Sequence, residues 1–368
     1  MKIAYVSYNL MHSIVNGGVG LKIRSAVRAW NETGHTAHWF TTTSAEVTGE
    51  EVTAFQFGEG MRGLMREFDR SRQLAHLIKA VAAYQPDVIY LRSGIYTYPL
   101  QRLFRIAPVV MELNTVDVVE YRGRGVFLFG VHLLTRDYVY GHASGFVAVS
   151  REIGSHPSNV KYGKPLLVLA NSIDLSKFEI LPIPHNLAPR LAYIGVAGND
   201  WQGLDKLFWL ADACPDFEFD LIGSSADAFE GQTIPPNLHL HGFLPRSAYE
   251  PILARADVGI GLLPLHRKGM NENPTLKVRE YLAFGLPVLI SHEDPDLSPY
   301  TLDFVLQIPN TEDNIQTHLE QIREFAFRMQ NKRVDQQKVV SLIGNASKEN
   351  IRVEFLANII SDGREKLV

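Results

Sequence analysis

One feature constrains the chain more than any other. Short apolar runs rich in Val, Ile, Leu and Tyr alternate with stretches of helical spacing, and they do so in two separate series. In the first, Lys2–Tyr8, His35–Phe40, Pro86–Ser93, Ala107–Asp117, Ala143–Ser150 and Lys164–Phe178 read as strands. Between them, helical patterns cover the stretch after Gly18 up to Gly34, Gly60–Lys79 and Tyr121–Tyr140, the last carrying Arg122 and Arg124. The stretch LPIPHNLAPR, Leu181–Arg190, is proline-rich and aperiodic and reads as a linker. A second series follows at once. Leu191–Gly198, Phe217–Ser225, Leu238–Phe243, Asp257–Pro264 and Pro287–Asp294 read as strands, with helices over Gly203–Ala213 and Arg246–Ala254. Strands joined through helices lie parallel. The expected fold class is therefore α/β, with two doubly wound parallel-sheet (Rossmann-like) domains facing a central cleft. The 368 residues suit two cores rather than one. The expected domains are residues 1–183 and 184–345, with a terminal helix over 346–368 packing back toward the first.

Ligands of such sheets sit beyond the strands' carboxyl ends, so the residues there are the candidates. After the first strand comes Asn16-Gly17-Gly18-Val19-Gly20, a turn where glycines let backbone approach a ligand closely. It does not fit the dinucleotide pattern G-x-G-x-x-G, which argues against a nicotinamide enzyme. After the Ala107 strand come Glu112, Asn114 and Asp117. The third place is Met270–Pro287, MNENPTLKVREYLAFGLP. Asn273 suits an N-cap and Pro274 a first helical position, and Gly285 ends the helix before Pro287. The amides of Thr275, Leu276 and Lys277 would then be open to a phosphate, aided by the helix dipole. Glu272 and Glu280 lie roughly 10 Å apart along the chain path, at ~1.5 Å per helical residue. That spacing suits a ligand with hydroxyls at both ends and a phosphate between, and it is too wide for one shared metal. The competing reading is a surface helix in which Lys277 and Glu280 form an exposed ion pair.

Composition closes off other classes. Cys214 is the lone cysteine, so no intrachain disulfide forms and a reducing compartment fits. The opening MKIAYVSYNL lacks a signal-peptide pattern, and no apolar run reaches membrane-spanning length. A cytoplasmic location is expected. His35 and His38 have no carboxylate at metal spacing, and no metal is expected. Up to His185 there are 19 Lys and Arg against 15 Asp and Glu, while the whole chain carries a net charge of −4. The basic bias peaks at Gly60–Lys79, where Arg62, Arg66 and Arg70 recur every four residues among Leu64, Met65 and Phe68. This is a solvated helix face or a peripheral contact with anionic membrane. No nucleic-acid module is recognisable.

At this point the residues resemble those of a known family, the retaining glycosyltransferases GT4 of the GT-B fold, over nearly the whole chain. Glu272 to Glu280 matches its two-glutamate motif with seven residues between, followed by YLAFGLPV. GGVG, GHTAHWFTT, FVAVS, ANSIDLSKF, LAYIG and LHGFLPRSAYEPILARADVGI support it. The resemblance implies a sugar moved from a nucleoside diphosphate to a glycan or lipid-linked acceptor hydroxyl with retention, needing no cofactor. It implies that Glu272 holds the donor sugar and Glu280 the ribose. Asn273, Thr275 and Leu276 would lie at the diphosphate with Lys277 beside them. Gly17 and Gly18 would reach the phosphates from the first domain, and Phe243 and Leu244 would lie by the base. Asn114 falls where the family has a histidine. An Arg and a Lys of the family fall on Val196 and Gln202, removing two positive charges. Lys206, Arg267, Lys268 or Lys277 are the candidates to replace them. A nucleotide-sugar epimerase and a non-catalytic binding protein are the alternatives.

Overall fold

A computed structural model describes residues 1–15, 17–122, 125–229 and 231–365. Asn16 and Arg124 of the expectations lie outside these. The chain divides into two compact units, Met1–Ala170 with Asn345–Val368, and Asn171–Gly344.

Among the described residues the first unit carries seven parallel strands. They are β1 (Lys2–Leu10), β2 (Thr36–Thr43), β3 (Val52–Gln56), β4 (Val88–Arg92), β5 (Val109–Leu113), β6 (Gly145–Ala148) and β7 (Leu166–Val168), in the order β3-β2-β1-β4-β5-β6-β7. The order reverses at β1, with Ile3 between Ala37 of β2 and Val88 of β4. Helix α1 (Gly18–Glu32) joins β1 to β2, α2 (Gly63–Tyr84) joins β3 to β4, and α3 (Asp117–Arg122) and α4 (Val126–His142) lie between β5 and β6. The apolar stripe of α1, Ile23, Val27 and Trp30, packs on Ile3, Tyr5, Val88 and Tyr90.

The second unit repeats the pattern. β8 (Arg190–Ile194), β9 (Glu218–Ile222), β10 (Leu238–Leu240), β11 (Val258–Ile260), β12 (Val288–Ile290) and β13 (Val305–Gln307) run in the order β10-β9-β8-β11-β12-β13. Helices α5 (Leu204–Ala213), α6 (Arg246–Leu253) and α7 (Leu276–Ala283) cover the faces. One core lies around Leu207, Leu210, Phe219 and Ile260, the other around Leu253, Tyr281, Val288 and Phe284. The C-terminal helix α8 (Asn345–Glu365) belongs to the first unit, where Leu356 and Ile359 enter the core and Trp30 Nε1 donates to Glu349 at 2.9 Å.

Two doubly wound sheets thus stand as expected, with corrections. The first unit ends at Ala170, not residue 183. Leu181–Arg190 is not a free linker: Leu181 is buried with its amide on the Phe284 carbonyl (3.1 Å), and Asn186 Nδ2 reaches Asp257 at 2.8 Å. The strand expected over Lys164–Phe178 is confined to β7. The helix expected over Tyr121–Tyr140 is two, with Gly125 at φ 102° before the second. The edge strands β3 and β13 were not expected at all.

Candidate active site

The start of α7 lies two residues later than the sequence suggests, with Thr275 in place of Asn273 as the cap. Asn273 donates its amide to Glu293 (2.9 Å), and Glu293 donates to Asn271 (2.9 Å), so Glu272 sits in a short parallel bridge. That bridge keeps the backbone extended, and Asn273 and Pro274 precede the helix instead of opening it. Thr275 is the N-cap residue, and its carbonyl accepts the first helical bond from Arg279 (3.2 Å). The open amides are therefore those of Leu276, Lys277 and Val278. They point where an anion would sit, with the dipole's positive end behind them.

Buried charge fixes this helix end in place. Arg279 is fully buried and forks onto Asp294 at 2.6 and 2.8 Å, while its Nε donates to the Asn171 carbonyl at 2.9 Å. Asn171 Nδ2 in turn donates to the Pro274 carbonyl at 2.8 Å. Such a fork restricts rotation of the helix about its axis.

Around the helix end, polar atoms wait without partners. Among the described residues, Thr275 Oγ1, Asn171 Oδ1 and His292 Nε2 are buried and accept or donate no hydrogen bond. His292 Nδ1 lies 3.2 Å from the Leu262 carbonyl, so Nδ1 carries the proton and Nε2 offers a lone pair. Burial holds this ring below the usual imidazole range, in its neutral form. A hydroxyl-rich ligand supplies the donors such atoms lack.

Lys277 is the cation of the site. Its Nζ donates to Gln202 Oε1 at 3.1 Å and lies 4.1 Å from the centre of the Tyr193 ring. No carboxylate among the described residues pairs with it, and burial pulls its ammonium down to about 7. The ion pair considered for Lys277 and Glu280 does not form. Glu280 instead faces α6, where Tyr249 donates to Oε1 at 2.6 Å, and burial raises its carboxyl.

The other proposed cations are committed elsewhere. Lys206 is a correction: its Nζ donates to the carbonyls of Thr311 (3.0 Å) and Glu312 (2.6 Å) and to Asn314 Oδ1 (2.7 Å), which uses all three protons. Arg267 bridges Asp205 (2.7 Å) and Glu312. Lys268 lies over the Trp201 ring at 4.9 Å. Gln202 ends a tight turn before Gly203, where φ is 71° and an added Cβ would come within 2.4 Å of Pro264. Tyr193 also donates to the Gln202 side chain (3.0 Å) and backbone. A lysine at 202 would set a second ammonium beside Lys277, so the neutral amide suits this arrangement. Val196 is half-exposed in the loop after β8; Phe243 and Leu244 follow β10 at the same sheet edge, Phe243 half-exposed and Leu244 packed on the core.

In the first unit, Gly17 caps α1 and Gly18 opens it, with no side chain capping the end. Gly20 permits the tight entry, since a Cβ there would lie 1.8 Å from the Val15 carbonyl. Asn114 follows β5. Its Oδ1 accepts from Lys22 Nζ (3.2 Å) and its Nδ2 donates to Glu112 Oε2 (3.2 Å). Glu112 also meets Lys22 (2.6 Å), Tyr5 (2.8 Å), Arg92 (3.3 Å) and Arg352 of α8 (3.4 Å). Burial opposes its ionisation, but these cations hold it well below the usual carboxylate range. Burial likewise pulls Lys22 down to about 8 against the attraction of Glu112. Asp117 serves structure: Arg136 (2.8 Å), His132 (3.0 Å) and Tyr140 (2.8 Å) surround it. Sequence reasoning passed over Lys22 and His292. The signals were a lysine two residues after GGVG and a histidine two residues after the β12 strand.

No protein-family model matches the chain, and no curated protein matches it in sequence. Solved structures match it along nearly its full length. Sucrose-phosphate synthase from Thermosynechococcus elongatus superimposes with a TM-score of 0.67 at 14% identity, covering 98% of this chain and 99% of that one. An alpha-glucosyltransferase in complex with UDP-glucose and DNA containing an abasic site gives 0.69 at 11% identity, over 97% and 99%. The lipopolysaccharide outer core galactosyltransferase WaaB gives 0.63 at 12%, over 97% and 100%. The fold is GT-B. At such identities the likeness speaks for architecture, and the chemistry rests on the residues above.

Proposed function

We propose that this protein is a retaining glycosyltransferase of the GT4 type. It moves a hexose-type sugar from a nucleoside-diphosphate sugar to an acceptor hydroxyl, in the cytoplasm, during polysaccharide or glycolipid synthesis. The observation that carries the reading is the open end of α7, with a Lys277 ammonium paired with no carboxylate among the described residues, and unpartnered polar atoms around it. The fold supports it, as does a neighbour of the same fold that holds UDP-glucose.

In this reading each residue takes a role. The amides of Leu276, Lys277 and Val278, with the Lys277 ammonium, take the diphosphate. As the bond to the sugar breaks, charge builds on the leaving phosphate, and preorganised donors of this kind are each worth roughly 3 kcal/mol. In this reading amides and a lysine meet that charge, and no metal is called for. Glu272 holds donor-sugar hydroxyls, with His292 Nε2 as a further acceptor. Glu280 accepts from the ribose diol, and Phe243 and Leu244 flank the base. Asn114, held by Lys22 and Glu112, is assigned to the acceptor. The departing phosphate takes the acceptor proton on the same face of the sugar, so no protein nucleophile is assigned.

The test is Glu272→Ala with a competent donor, found by thermal-shift screening of nucleoside diphosphates. Turnover is expected to fall at least a hundredfold with the fold intact. Turnover within a few-fold of the unaltered protein would refute the assignment. A second reading, a donor-binding protein without turnover, draws on Val196 and Gln202 standing where the family has cations. It would show as nucleotide binding with no nucleotide released for any acceptor.

A further inference from the structure

Helix α4 is inverted relative to an ordinary surface helix. Its buried side carries His132 and Arg136, both bonded to Asp117, together with Val139 and Tyr140. Its outward side carries Val126, Phe127, Leu133 and Leu134. Helix α2 begins in a similar way. Leu64, Met65 and Phe68 stand out from its first two turns, while its buried apolar residues start only at Leu74. Val126, Phe127 and Leu134 are 84–90% exposed, and Leu64, Met65 and Phe68 are 69–79% exposed. Single exposed apolar side chains are ordinary, but grouped ones mark a contact surface.

Topology brings the two groups to one place. The connections from β3 to β4, β4 to β5 and β5 to β6 all step the same way across the sheet. Right-handed crossovers therefore put α2, the 3-10 segment Leu100–Arg105 and α4 on one face. Direct contacts agree: α2 packs on Leu100–Arg105, and Phe104 of that segment meets Tyr138 of α4 with ring centres 6.4 Å apart. Each helix starts beyond a strand's carboxyl end, so both apolar groups lie at the same edge, about 20 Å apart at the usual ~10 Å per packed helix. Tyr98, also exposed, follows β4 at that edge. Asn114 follows β5 there as well.

Cations rim the apolar groups. Arg62 precedes α2, Arg102 lies beside the Tyr98 ring, and Arg122 ends α3; all three are exposed. Arg66 and Arg70 lie over the Phe57 ring, Arg70 paired with Glu67 at 2.7 Å, so the rim cations open to a partner are Arg62, Arg102 and Arg122.

We propose that this edge of the first unit, from Leu64 and Phe68 across Tyr98 to Val126, Phe127 and Leu134, docks on an anionic lipid bilayer. The apolar side chains enter the interface and the arginines meet lipid phosphates. DNA would engage the arginines and leave six protruding apolar side chains in water, so lipid is the better complement. The inference deepens the transfer reading. An acceptor carried by a lipid would reach the Asn114 edge from the membrane plane, which selects lipid-linked acceptors over soluble ones.

The full chain is mixed with vesicles of phosphatidylcholine alone and of phosphatidylcholine with 30% phosphatidylglycerol, and sedimented. Binding to the anionic vesicles is expected. The triple variant Val126→Ser/Phe127→Ser/Leu134→Ser should bind them at least tenfold more weakly. Arg62→Gln/Arg102→Gln should lose about fivefold per residue and should lose the preference for anionic lipid. Circular dichroism and light scattering check that both variants fold and match the unaltered protein in mass. Three results would overturn the proposal: equal vesicle binding by the triple variant, no binding by the unaltered protein, or a dimer of the unaltered protein that the triple variant dissolves. Tight binding of a 30-base-pair duplex that the triple variant retains would favour nucleic acid instead. None of these assays uses a sugar donor. Calorimetry with UDP or GDP on the same samples shows separately whether the nucleotide site is intact.

Discussion

Lys277 gives the account its sharpest consequence. In the free protein its ammonium has no anion among the described residues, and burial has brought it down to about 7. A diphosphate at the end of α7 places negative charge beside it, which returns it toward the ordinary lysine value near 10.4. The bound state then holds more protons than the free state. At pH 7.5 a group titrating near 7 is about one-quarter charged, so full charging on binding takes up about 0.75 proton. At pH 6 the uptake falls to about 0.1 proton. The sign for affinity follows. Because the bound value is the higher one, binding weakens as pH rises above 7, by about fifty-fold between pH 7 and pH 9. The measurement is calorimetry of a nucleoside-diphosphate sugar in phosphate and in Tris. The diphosphate of such a donor does not titrate in this range, and the difference in apparent heat counts the protons. Lys277→Met serves as the reference and should abolish the uptake. An uptake near zero at pH 7.5, or one that persists in Lys277→Met, would refute the argument.

Two further outcomes follow from buried groups. Thr275→Val removes a buried hydroxyl without a partner, so thermal stability of the free protein should hold or rise by up to about 1 kcal/mol, while donor affinity falls about tenfold. Arg352→Met leaves Glu112 and Glu349 short of a buried cation. It should cost about 3–5 kcal/mol, a drop in melting temperature on the order of 10 °C, with Arg352→Lys recovering part.

The sequence carried the architecture because parallel strands buried on both faces are continuous apolar runs, as in IAYVSY, DVIYL and PVLI. It hid β3 and β13 because each lies at a sheet edge, paired on one side only, and tolerates polar residues such as Thr53 and Gln307. The α7 stretch was legible as a helix start, but its cap was not. Pro274 fits a first helical position in isolation; the bridge between Glu272 and Glu293 and the bond from Asn171 Nδ2 to the Pro274 carbonyl hold the chain outside the helix there. Lys206 looked like a ligand cation because nothing nearby in sequence claims it; its partners arrive from Thr311, Glu312 and Asn314, about a hundred residues on. Separation in sequence also hid the network that joins Lys22, Glu112 and Arg352. The exposed side of α4 was invisible for a different reason. Its pattern is amphipathic whichever side faces in, and Asp117 decides that the charged side does.

The most direct test is a crystal structure with a bound nucleoside-diphosphate sugar. Its diphosphate is expected within hydrogen-bonding reach of the Leu276, Lys277 and Val278 amides and of Lys277 Nζ, with the ribose at Glu280 and the sugar at Glu272. A nucleotide bound elsewhere, with the α7 amides facing only water, would contradict the account.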